Sequence, residues 1–254
     1  SQALLNFNNL NLSLIEISHR SKDFVAVMDK AQALVKELLD VPEGYSVLFL
    51  QGGASTQFLM TAMNLLKTSG KADYINTGTW SKKALKEAKK FGKINIVASS
   101  EDKNFSYIPK EHSYLTDADY LHFTSNNTIF GTQFHKFPKV SKDTMLVCDM
   151  SSDIFSRKID VSKFDLIYAG AQKNMGPAGT TLVIIKDTIL NKTGRDIPTM
   201  LDYKTHIEKG SMFNTPPVFP IYVSMLTLEW LKNKGGVMAI EKLNNAKAQL
   251  LYSE

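Results

Sequence analysis

Cysteine is almost missing. Cys148 is the only one in 254 residues, which excludes an intrachain disulfide framework and a repeating Cys/His set of zinc ligands, and it fits a reducing, cytoplasmic setting. Long apolar runs are missing too: none approaches the roughly 20 residues that a membrane-spanning helix needs, and residues 1–11 have neither the basic start nor the apolar core of a signal peptide. The sequence also begins without Met, as expected of a processed product or a fragment. There is little excess of charge. Lys+Arg 30 against Asp+Glu 25 gives +5, and Lys82, Lys83, Lys86, Lys89 and Lys90 recur at the spacing of a solvated helix face, so the excess calls for no nucleic acid. A basic pocket for anionic substrates stays open. Internal repeats and low-complexity segments are absent as well.

What is present is a core-forming composition, 43% hydrophobic, enough for one large α/β domain or two smaller ones. Short β-rich runs at 46–50, 72–75, 94–98, 120–124, 144–149, 165–169 and 181–185 read as seven strands. Helical patterns at 56–66 and 81–91 lie between them, which predicts crossover units and a mainly parallel sheet between helices. After Pro216-Pro217 the pattern changes to two helices, 222–232 and 237–252, divided by Gly235-Gly236. An apolar helix reaching the last residues uncovered suggests a further domain beyond it.

In open parallel sheets, ligands bind outside the carboxyl ends of the strands, so the polar residues that follow each run are the ones to read. After 46–50 comes Gln51-Gly52-Gly53-Ala54-Ser55-Thr56-Gln57, where glycines permit a tight turn and the next helix offers free N–H groups to an anion. An ordinary strand-to-helix turn with a Ser cap reads the same way. The run 144–149 ends in Asp149, suited to pairing with a cationic ring nitrogen or a metal, or to capping the next turn. One strand later Lys173 stands in the small-residue loop Gly170-Ala171-Gln172-Lys173-Asn174-Met175-Gly176-Pro177-Ala178-Gly179. Burial there lowers a lysine's pKa as Schiff-base chemistry requires, whereas an exposed loop lysine is the plainer alternative. Anion turn, strand-end Asp and Lys in this order make the parts list of a pyridoxal 5′-phosphate (PLP) site.

Five blocks carry a resemblance over nearly the whole chain: Ile17-Ser18-His19-Arg20-Ser21, Gln51-Gly52-Gly53-Ala54-Ser55-Thr56-Gln57-Phe58, Asn76-Thr77-Gly78-Thr79-Trp80-Ser81, Gly170-Ala171-Gln172-Lys173-Asn174 and Gly210-Ser211-Met212-Phe213-Asn214-Thr215-Pro216-Pro217. With them the sequence resembles the phosphoserine aminotransferases, class V members of the fold type I PLP enzymes. The resemblance implies that residues 1–235 form the PLP-binding large domain and that 236–254 form a helix leading to a small C-terminal domain absent from this chain. It implies Lys173 as the Schiff-base and proton-shuttling lysine and Asp149 as the partner of the pyridine nitrogen. By the same resemblance Trp80 would stack on the ring, Thr128 would bond its phenolic oxygen side, and Ala54, Ser55 and Gln172 would hold the phosphate. Asn214 and Thr215 reach that phosphate from the neighbouring subunit of a homodimer, while His19 and Arg20 take the distal phosphate or carboxylate of the substrate.

The implied reaction passes an amino group from glutamate to 3-phosphohydroxypyruvate, in serine biosynthesis, with the related four-carbon substrate of pyridoxine biosynthesis also accepted. Three departures stand out: Ser55 is neutral where some members are basic, the usual Asn-Phe-Ser-Ala-Gly-Pro-like start is not found before Ser1, and no small domain with its carboxylate-binding arginine follows. A non-catalytic cofactor-binding or dimerisation module is therefore an alternative, as is another class V enzyme. A cysteine desulfurase fits poorly, because Cys148 lies within an apolar strand and should point away from Asp149.

Overall fold

Aliphatic, β-branched and aromatic runs become strands most readily where both faces can be covered. The computed structural model describes residues 2–110, 113–114 and 116–253 and gathers all seven runs into one sheet. The strands are β1 (Tyr45–Leu50), β2 (Lys71–Asn76), β3 (Lys93–Ser99), β4 (Tyr120–Thr124), β5 (Met145–Asp149), β6 (Leu166–Gly170) and β7 (Thr181–Lys186). Each boundary falls within one residue of the sequence expectation. Across the sheet the order is β1-β7-β6-β5-β4-β2-β3. The β2–β3, β2–β4, β4–β5 and β5–β6 pairs are parallel, and only β7 runs against its two neighbours.

Helices cover both faces. On one side α1 (Lys22–Leu38) and α5 (Val218–Asn233) lay Phe24, Met28, Ile221 and Leu228 against Phe49, Cys148, Ile167 and Leu182. On the other, α2 (Gly53–Leu65) and α3 (Thr79–Ala88) pack Phe58, Met60, Ala84 and Leu85 against Leu48, Val147, Tyr168 and Val183. The short α4 (Tyr203–Glu208) sits beside β1. The final helix α6 (Gly236–Tyr252) leaves Met238, Leu243, Leu250 and Leu251 exposed.

Three local findings differ from the sequence reading. First, α1 was not expected, although Phe24, Val27, Met28, Ala31, Leu34 and Val35 make a buried stripe and the Ser21 hydroxyl caps Phe24 N at 3.3 Å, an arrangement worth about 1 kcal/mol. Second, α2 starts at Gly53, so Ser55 lies inside its first turn and Gly52 takes the cap position with no side-chain cap. Gly52 and Gly53 have φ of +88° and +66°, and a Cβ on Gly52 would lie 2.0 Å from Thr56 Oγ1. Third, α3 starts at Thr79, which puts Trp80 in its first turn. The five lysines of α3 and its exit are exposed, as their spacing predicts.

Candidate active site

Asp149 closes β5, and Lys173 follows the neighbouring strand β6. The turn after Asp149 is built from the aspartate itself: Oδ1 accepts from Ser151 N at 2.9 Å and from Ser151 Oγ at 2.7 Å, an acid bonding its own backbone two residues on. Ser151 Oγ also accepts from Gly170 N at 3.1 Å, tying the ends of β5 and β6 together. Among the described residues every hydrogen bond to the Asp149 carboxyl group goes to Oδ1, so Oδ2 is the oxygen left for a ligand. Asp149 is 4% exposed. Burial pushes its pKa up, opposed by the Ser151 bonds and by the charge of Lys173.

The Lys173 loop is fixed by its neighbours. Asn174 Nδ2 donates to Ser152 O at 3.3 Å and to Ile154 O at 3.0 Å, binding the loop to the turn after Asp149. Met175 is buried, and Gly179 approaches α5 so closely that a Cβ there would lie 2.7 Å from Pro220 Cγ. The Lys173 side chain is exposed in the single chain, and its Nζ donates to Thr128 Oγ1 at 3.0 Å. Partial burial of the amine still lowers its pKa below the ordinary lysine value, against the opposing pull of Asp149. Thr128 stands in the turn of a small hairpin, Asn126–Asn127 with Thr132–Gln133. A buried Arg157–Asp153 ion pair at 2.7 Å holds that hairpin: Asp153 also accepts from Gln133 at 2.9 Å, and Arg157 donates to Phe134 O at 2.6 Å.

The remaining expected site residues sit around this pair with fewer links. Ala54 and Ser55 lie in the first turn of α2, where backbone N–H groups have no helical acceptor. Gln172 is exposed and folds its amide over Gly170, where a Cβ would meet Oε1 at 2.5 Å. Trp80 is half-buried with Nε1 enclosed and unpartnered, and Lys83 Nζ sits 4.6 Å from its ring centroid. Asn214 and Thr215 are exposed beside the chain's own glycine turn, where Gln51 Nε2 donates to Thr215 O. His19 is half-buried with Nε2 enclosed and unpartnered, and Arg20 is exposed. Neither is joined by a hydrogen bond or ion pair to Lys173 or Asp149 among the described residues.

Sequence reasoning missed Ser151, Asn174, Gln51 and Thr124. The Asp-x-Ser spacing of Asp149 and Ser151 was a readable signal for the first. Thr124 pairs in register with Asp149 across β4 and β5, and its Oγ1 is buried without a partner; only the register reveals it. Cys148 is fully buried on the sheet face opposite Val147 and Asp149, and burial pushes its thiol pKa well up. That removes it as a nucleophile.

A mainly parallel sheet with a glycine turn, a strand-end carboxylate and a loop lysine is the arrangement of a class of enzyme, and the class-V aminotransferase family model matches residues 2–254. The chain belongs to the class-V aminotransferase family. Within that family it is similar to the phosphoserine aminotransferase of Flavobacterium psychrophilum, with 66% identity over all of this chain and 71% of the relative. Among solved structures it superposes on a phosphoserine aminotransferase studied for radiation damage of its Schiff base, with a TM-score of 0.95 and 48% identity over 99% of this chain and 70% of that one. The PLP-bound phosphoserine aminotransferase of Trichomonas vaginalis matches with a TM-score of 0.91 and 36% identity, over 98% of this chain and 70% of that one.

Proposed function

We propose that this chain catalyses PLP-dependent transamination between glutamate and 3-phosphohydroxypyruvate, giving O-phosphoserine and 2-oxoglutarate, and accepts the related four-carbon phosphorylated 2-oxo acid. The observation that carries this reading is the placement of a buried Asp149, with one carboxyl oxygen unbonded, at the end of β5 and of Lys173 in the loop after the neighbouring strand β6. The residues present fit PLP. The first turn of α2 offers unbonded N–H groups that would hold its phosphate, the unbonded Asp149 Oδ2 would take the ring nitrogen, and the Lys173 amine would take its carbonyl. When bound, PLP supplies an electron sink and the carbonyl group through which the amino group is carried.

In this reading Asp149 would hold a proton on the pyridine nitrogen of the cofactor, and Lys173 would attach the cofactor and hold or move a proton at the substrate Cα. Thr128, already within reach of Lys173, hydrogen-bonds the phenolic oxygen side. Trp80 covers one ring face and excludes water there. Ala54, Ser55 and Gln172 hold the phosphate, completed by Asn214 and Thr215 of the partner subunit in a homodimer. His19 and Arg20 take the distal phosphate or carboxylate, a task that suits the two-pronged guanidinium. Residues 1–235 are the cofactor-binding unit, and 236–254, with its exposed apolar residues, the helix connecting to a smaller domain. A cytoplasmic setting fits the single buried thiol.

A half-reaction tests the proposal. Glutamate added to the PLP-loaded chain should yield 2-oxoglutarate in proportion to loaded sites, and 3-phosphohydroxypyruvate should then restore the original spectrum with release of O-phosphoserine. A loaded, folded chain that forms no 2-oxoglutarate would refute the reading.

A further inference from the structure

The edge strand β1 runs straight into the glycine turn, and its outer edge is occupied. Ser211, buried at 4% exposure, presents its hydroxyl to Phe49 N at 3.0 Å. Its backbone stands at φ +70°, a left-handed conformation that a non-glycine residue adopts at a cost. Four residues on, Thr215 O accepts from the side chain of Gln51, the residue that follows the strand and begins the turn. Gln51, Gly52, Thr56, Ser211, Asn214 and Pro216 line one cavity between the two segments. Segment 211–217 is thus stapled at two points, to β1 through Ser211 and to the turn after it through Thr215, on either side of Asn214.

We infer that Ser211 and Gln51 are positioning residues that set the arm Asn214-Thr215 for phosphate binding. The inference rests on the proposed role of that arm. Exposed polar side chains on a free loop would lose much of their binding contribution to the entropy of ordering. Two hydrogen bonds, one to the strand edge and one to the turn that leaves it, remove that cost before the phosphate arrives. Because Gln51 also opens the chain's own glycine turn, the turn of one site and the arm offered to the other are held by the same strand end.

A double-mutant cycle on full-length, PLP-depleted protein, read as PLP dissociation constants from equilibrium dialysis, tests this without using turnover. The arm is disabled by Asn214→Ala with Thr215→Val, which leaves the Thr215 carbonyl position in place. Gln51→Leu should weaken PLP about tenfold in the native background and less than about twofold in the disabled one. Ser211→Gly, which suits the positive φ while removing the hydroxyl, should behave the same way; if it does not fold, Gln51→Leu at its exposed position still decides. Equal loss in both backgrounds, or no loss from Gln51→Leu, overturns the inference while the arm's role stands. A silent disabled arm overturns the arm's role and the inference with it.

Discussion

At the residue scale, the site depends on charges held where burial opposes them. Asp149 has a folded pKa raised by burial, so its ionised form costs the folded state stability at pH values above both its folded and unfolded pKa. Asp149→Asn should therefore raise the melting temperature of the cofactor-free chain at neutral pH while slowing transamination by about 10²-fold, more in kcat than in PLP affinity. A fall in both stability and affinity with little change in kcat would mark Asp149 as structural. Arg20→Ala should weaken phosphorylated substrates selectively and leave PLP binding unchanged; steady-state kinetics with and without the substrate phosphate separate these outcomes.

At the scale of elements, two features hold the reactive groups in place. Gly179 permits the Lys173 loop to close on α5, and Gly179→Ala should cost about 1–3 kcal/mol in urea unfolding, because its Cβ would lie 2.7 Å from Pro220 Cγ at φ +121°. The Asp153–Arg157 pair joins the Thr128 hairpin to the turn after Asp149. Asp153→Ala leaves a largely enclosed guanidinium unpaired and should cost about 3–5 kcal/mol by the same measurement. Legibility in the sequence divides along these lines. The central strands were readable because Met145–Cys148, Leu166–Ala169 and Leu182–Ile185 are unbroken apolar runs with polar residues or glycine beyond them. The antiparallel sense of β7 was not, because a run buried on both faces carries no directional pattern. The helix Lys22–Leu38 had a clear apolar stripe and a Ser cap and was legible without being read. Lys173 and Asp149 were found by their place after strands, but the bonds of Asn174 and the Gln51–Thr215 link join residues far apart in sequence and leave no local signal.

At the scale of the molecule, the sheet encloses a titrating group that the chemistry does not use. His122 lies stacked on Tyr74 at 4.7 Å and bonded to Tyr168 at 2.8 Å, and burial lowers its pKa from 6.5 to about 3. The unfolded chain binds this proton first, so stability falls as pH drops below 6.5 and goes on falling toward about 3. For one proton the loss is about 2 kcal/mol between neutral pH and pH 5, at about 1.36 kcal/mol per unit. His122→Gln, which keeps a partner for Tyr168, should remove this slope from urea unfolding; an unchanged slope would place the titration elsewhere. Light scattering should give twice the mass of one chain if Asn214 and Thr215 serve a partner's site, and a monomer at working concentration would contradict that assignment.

The central claim is that Lys173 carries the cofactor, and it is tested most directly by adding PLP to the purified chain, reducing with borohydride and locating the modified peptide by mass spectrometry. The expected result is a visible absorbance that borohydride abolishes, a single label on Lys173, and no label in Lys173→Ala. A label distributed over the exposed lysines of α3, or one that persists in Lys173→Ala, would contradict it.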